Sequence, residues 1–104
     1  GNVGLDQEHS GSANMCTDYP TCAGGTPIGV AYQKYALASS TAYTSATALS
    51  TTPAEVELNV PKPINATPVT KNTWWGILIP TGTQPGTYSG VNTITAVKGE
   101  TANW

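Results

Sequence analysis

The stretch Asn72-Thr-Trp-Trp-Gly-Ile-Leu-Ile-Pro-Thr-Gly-Thr-Gln-Pro-Gly-Thr-Tyr-Ser-Gly-Val-Asn-Thr-Ile-Thr-Ala-Val97 decides the fold class. Trp74 to Ile79 is short, bulky and apolar, and Pro80 ends it. Thr81-Gly-Thr-Gln-Pro-Gly86 has turn chemistry, and Tyr88 to Val97 is rich in Thr, Val and Ile. β-branched and aromatic residues suit a pleated, half-buried surface, and Gly and Pro punctuate it, so the stretch reads as two strands joined as a hairpin. Adjacent Trp74 and Trp75 must point to opposite faces of a strand, which leaves one for a core and one for a contact surface. Val91 and Ile94 have opposite parity, which predicts either a last strand covered on both faces or a bulge at Gly90.

Working outward, Glu55-Val-Glu-Leu-Asn-Val60 alternates strictly, with Val56, Leu58 and Val60 inward, as in a half-buried antiparallel strand. Ile28 to Leu37 changes parity between Tyr32 and Tyr35, which a bulge near Gln33-Lys34 would reconcile. Between them, Ala38 to Thr52 mixes helix-favouring Ala with Thr and Ser, and reads as loop with one short strand around Ala42 to Ala48. Val3, Leu5 and Gln7 alternate in a short N-terminal strand, followed by a turn from His9 to Asn14. Strands at intervals of about ten residues, separated by Pro/Gly turns, predict an all-β antiparallel sandwich. At 104 residues the chain is long enough for one core, so 1–104 reads as a single β domain.

Charged residues are 10% of the chain, against roughly a quarter in an average protein, while threonine occurs 17 times and phenylalanine never. Lys34, Lys62, Lys71 and Lys98 are scattered, arginine is absent and the net charge is -2, which excludes a nucleic-acid footprint. Sparse charge favours self-contact over repulsion, and so favours oligomers or larger assemblies. No apolar run approaches a membrane span, and no leader pattern opens the chain. Gly1 therefore reads as a processing site or a boundary in a longer precursor.

Cys16 and Cys22 flank Thr17-Asp-Tyr-Pro-Thr21, a loop that can bring their Cα atoms within disulfide range; small exported domains use cysteine in this way. The alternatives are two free thiols or a zinc pair, and zinc lacks its remaining ligands because His9 is the only imidazole. Asn65-Ala-Thr67 fits the glycosylation sequon in a Pro-rich loop. His9, the one imidazole base, sits in a Glu-His-Ser-Gly turn with no nucleophile elbow, and reads as a solvated turn residue rather than a catalyst. Asp6, Glu8 and Asp18 read as surface solvation rather than a paired acid and base or a calcium site. A Lys–Asn isopeptide bond among Lys34, Lys71 and Asn92 lacks an identifiable buried acid beside it. No cofactor and no enzymatic activity are expected.

Trp74, Trp75 and Trp104 are candidates first for an interface, next for cover of an edge by a loop, and last for a sugar-stacking platform. Tyr88, in Gly-Thr-Tyr-Ser-Gly, reads as a packed anchor whose hydroxyl bonds to backbone, as in a tyrosine corner.

The run Trp75 to Ala96 resembles the closing hairpin of immunoglobulin-like β-sandwich modules in bacterial and archaeal surface and fimbrial proteins, where an Ile-Pro and a Pro-Gly-Thr-Tyr turn precede the final Thr-rich strand. The opening Gly1-Asn-Val-Gly-Leu-Asp6 looks like a mid-sheet strand of such modules, which implies a chain that starts late. The resemblance implies an immunoglobulin-like sandwich or a β-rich pilin head, incomplete without a partner segment. It further implies an exported, cell-surface structural subunit, of a filament or fimbrium, that receives a strand or helix from a partner such as a separate helical pilin chain. A secreted carbohydrate- or ligand-binding sandwich is the alternative.

Overall fold

The computed structural model describes residues 4–98 and is antiparallel β throughout, with two single-turn 3-10 segments. Eight strands follow in order: β1 (Leu5–Gly11), β2 (Asn14–Met15), β3 (Ile28–Gly29), β4 (Gln33–Ala36), β5 (Thr47–Ala48), β6 (Ala54–Val60), β7 (Trp74–Ile77) and β8 (Asn92–Lys98). They form one sheet in the order β6-β1-β8, a second in the order β5-β4-β7, and a small β2-β3 ribbon. The all-β antiparallel reading therefore holds, in a sandwich-like arrangement.

The expected hairpin does not form. β7 pairs with β4 and β8 pairs with β1, so the two strands lie at the edges of different sheets. The physical reason is the connection from 78 to 91, far longer than the roughly two to five residues of a hairpin loop. Pro80, Gly82 at φ 86° and Pro85 turn it away from β7, since Thr83 donates to the Pro80 carbonyl through both its N–H and its hydroxyl. The connection is then pinned to the cysteine loop, where Cys16 and Ser89 exchange backbone hydrogen bonds of 3.0 and 2.9 Å. Long connections that cross between sheets are the Greek-key solution to joining strands that cannot be neighbours.

β1 is the central strand of its sheet, and it runs on through His9, Ser10 and Gly11, which the sequence reads as a turn. Both β6 and β8 pair along it, and this two-sided pairing fixes residues whose own propensity is turn-like. A register shift between Leu5 and Gln7 marks a bulge opposite, where Asn59 adopts φ 53°. Asp6 explains how that bulge is tolerated: its buried carboxylate accepts the Asn59 N–H at 2.9 Å, while the Asn59 side chain accepts the Gly4 N–H at 3.1 Å. Asp6 is thus a buried structural acceptor and not a surface group.

From 28 to 36 the parity change is resolved by a 3-10 turn over Val30–Tyr32, not by a bulge within one strand. The segment before Leu49 likewise contains a 3-10 turn, Tyr43–Ser45, ahead of the two-residue β5. The core sits where these pieces meet the β6-β1 side: Tyr35, Leu49 and Val56 pack together with Val30 against them, and Leu58 and Ile28 are also buried. Leu49 approaches β1 so closely that a Cβ on Gly11 would lie 2.7 Å from its Cδ2, which is why that position has no side chain.

Candidate functional site

Residues opposite one another in antiparallel strands share a face, so the registers assign every side chain. His9 faces the second sheet, and its partner Ile94 shares that face, as do Ala96 opposite Gln7 and Asn92 opposite Gly11. In the second sheet Trp75 opposite Tyr35 and Ile77 opposite Gln33 face inward, whereas Trp74 opposite Ala36 faces out. The parity argument for the two tryptophans is therefore correct in direction, yet neither is core: Trp74 is 41% exposed and Trp75 37%.

Trp75 contributes to an inter-sheet stack. The His9 ring lies 4.6 Å from Tyr35, edge-on, and 5.2 Å from Trp75, and Tyr35 and Trp75 are themselves 5.2 Å apart. His9 is fully buried, which corrects the expectation of a solvated turn residue. Its Nε2 meets the Gln7 Oε1 at 2.8 Å, and its Nδ1 is buried with no hydrogen-bond partner. Burial disfavours the imidazolium and lowers the His9 pKa from its usual value, and it raises that of the Tyr35 phenol.

Beyond this stack the two sheets stop covering each other. Trp75, Ile77, Gln33 and Asn92 line a shallow groove of about 280 Å³, and Gln33 and Asn92 bridge it through paired amide hydrogen bonds of 2.7 and 3.4 Å. Ile77 and Ile94 face inward but are 47% and 50% exposed, and Leu78, Ile79 and Val91 are similarly bare. β8, for which cover on both faces was one expectation and a bulge at Gly90 the other, is exposed along its length apart from a partly buried Val97. The parity of Val91 does not bear on it, because the strand starts at Asn92. Among the described residues β7 and β8 each pair on one side only, so this flank presents two open strand edges and an uncovered apolar interior.

On the outer face of the second sheet a second concavity of about 230 Å³ is lined by Trp74, Tyr43, Lys34, Ser39 and Thr41. The Lys34 ammonium sits 4.5 Å from the centre of the Tyr43 ring, whose hydroxyl donates to the Tyr32 carbonyl at 2.6 Å.

The remaining candidates fall elsewhere. Cys16 and Cys22 form a disulfide with Cα atoms 5.4 Å apart, and Asp18 closes the same loop by accepting the Ala23 and Gly24 N–H groups. Tyr88 donates its hydroxyl to the Gln84 carbonyl at 2.6 Å, the anchoring role read from its setting. Asn65 is exposed and accepts the Thr67 N–H at 2.8 Å. Trp104 lies outside the described residues. The carboxylates of Asp6, Glu8 and Asp18 are not gathered; Asp6 instead groups with Glu55 and Glu57, within 4.8 Å. Asn92 is engaged by Gln33 on the inner face of β4, whereas Lys34 lies over Tyr43 on its outer face, so these two isopeptide candidates sit on opposite sides of that strand. Among the described residues no helix is long and apolar enough to cross a membrane. The sequence signal for the open flank was the unbroken apolar run from Trp74 to Ile79, whose exposure no local pattern reveals.

No family model matches this chain, and neither a curated protein nor a solved structure does.

Proposed function

We propose that the chain is a non-enzymatic structural subunit of an extracellular filament or cell-surface assembly, of pilin or fimbrial type, whose sandwich is completed by a segment of a partner chain. The observation that carries this reading is the flank formed by β7 and β8: among the described residues it has two open strand edges, and its inward-facing Ile77 and Ile94 are about half exposed, with Trp75 37% exposed beside them. Open edges and contiguous exposed apolar side chains are costly in an isolated protein and are the usual mark of a contact surface. A disulfide in a small β protein is compatible with an oxidising, extracellular location, and the sparse charge suits close packing of subunits. Immuno-electron microscopy of cells that produce the chain tests the reading. Label on surface filaments or a surface layer supports it, and a chain found only as free protein contradicts it.

A second reading rests on the outer concavity, where Trp74, Tyr43 and Lys34 offer a ring face, a hydroxylated surround and a cation suited to an acidic sugar. Glycan-array binding lost in Trp74→Ala with the fold intact favours it. Trp75, which also borders this concavity, is the less informative variant because its ring stacks between the sheets.

A further inference from the structure

We propose that the occupant of the open flank is a second copy of this chain, whose β8 pairs antiparallel with β8 of the first across a two-fold axis at Thr95. This rests on the assembly reading above and names its partner strand. Three observations point to a self-contact.

The first is that both open edges lie on one flank. A two-fold axis perpendicular to the sheets that joins β8 to its copy also brings the two β7 edges towards each other, so a single operation extends both layers. The β6-β1-β8 sheet would continue as β8-β1-β6 of the second copy, and the shared groove would be roofed by both sets of inward side chains.

The second is charge. Identical molecules present identical charges to each other across a two-fold axis, and each copy carries a net charge of -2. The flank is where that repulsion vanishes: β7 contains no charged residue, and β8 none before Lys98 at its end. A long edge strand is normally protected by inward charges or proline, and β8 has neither along Asn92 to Val97.

The third is register. Centring the axis on Thr95 places Ile94 opposite Ala96 on the inner face and Thr93 opposite Val97 on the outer face, with Thr95 against itself and Lys98 beside Asn92. The Ile94–Ala96 pair then matches apolar with apolar and the Thr93–Val97 pair a threonine methyl with an apolar side chain, and no like charges meet. Ile94, half exposed in the isolated chain, becomes interior. β7 and β8 supply eleven residues to the contact, against roughly 20–30 on each side of a standard interface, so the dimer is one of modest affinity in the micromolar range.

Cysteine cross-linking and sedimentation test this. Directly opposed residues in an antiparallel pair have Cα atoms roughly 4.5–5.5 Å apart, within disulfide reach, and the chain has no free cysteine. Thr95→Cys is expected to form a covalent dimer on mild oxidation, while Thr52→Cys, exposed ahead of β6 on the other side of the sheet, stays monomeric. Wild type is expected to show a monomer–dimer equilibrium by sedimentation, and Ile94→Lys to weaken it about a hundredfold, since its ammonium would be buried only in the dimer. Unchanged denaturation of Ile94→Lys at low concentration shows that the fold is kept.

Equal cross-linking of the two cysteine variants, or a wild type that is monomeric throughout the micromolar range, overturns the β8 pairing. If the chain is nevertheless found in surface filaments, the assembly reading stands and only this choice of partner fails. If β8 pairs in solution and the chain is never surface-assembled, the reverse holds.

Discussion

The two flanks of this molecule both present apolar side chains to the interior and differ in what covers them. On the β6 side, Val56 and Leu58 are each 5% exposed and Leu49 is 2% exposed, closed over by Tyr35 and Val30. On the β8 side, Ile77 and Ile94 face the same interior and are about half exposed. An alternating strand reports that it has an inner face; it does not report whether anything lies against that face. The closed flank explains why the chain folds, and the open flank is where contact is proposed.

Truncation on the closed flank should have the largest effect. Leu49→Ala removes a buried side chain wedged between Gly11 and Tyr35, and is expected to lower unfolding free energy by about 3 kcal/mol in chemical denaturation. A loss near zero would mean that this flank is not the core. Replacing Cys16 and Cys22 together by Ser comes next, with an expected loss of about 2 kcal/mol, because the short loop they close gains little chain entropy on opening. The Cys16–Ser89 bridge should then fray, which hydrogen exchange at Ser89 would detect.

Acidification probes the boundary between the flanks, where His9 stacks. Its folded pKa lies below the unfolded value of 6.5, so its contribution to stability is complete above that value and is lost as pH falls through 6.5 towards the folded pKa. Unfolding free energy should decline over that interval, and His9→Gln should flatten the decline. A slope unchanged in His9→Gln would assign it to other groups. The smallest effect on stability is expected on the open flank: Ile77→Thr and Ile94→Thr should each change the unfolding free energy of the dilute chain by less than about 0.5 kcal/mol. On the proposed assembly, their larger effect is on association.

The comparison also shows what the sequence could reveal. Val56, Leu58 and Val60 announced β6 because period-two alternation is local. Tyr88 and the cysteine pair were equally legible, since a turn anchor and a short disulfide loop depend on near neighbours. Pairing is not local: Trp74 to Val97 contains two strands in succession, and only the length of the connection from 78 to 91 told against joining them. His9 and Asp6 were misread for a related reason. His9 stands in a turn-like sequence and Asp6 on the outward parity of a short strand, and both look solvated until a central strand buries them, one in an aromatic stack and the other against a bulge in β6. The open flank was only hinted at, by adjacent Trp74 and Trp75 that cannot share a face, because an apolar run looks the same whether or not it has a neighbour.

Amide hydrogen exchange of β8 and β6, followed as protein concentration is raised, tests the asymmetry most directly. The account predicts that β8 amides pointing away from β1 exchange freely in dilute solution and become protected as concentration rises, while β6 remains unchanged. Slow, concentration-independent exchange along the whole of β8 would contradict it, since that strand would then already be covered within a single chain.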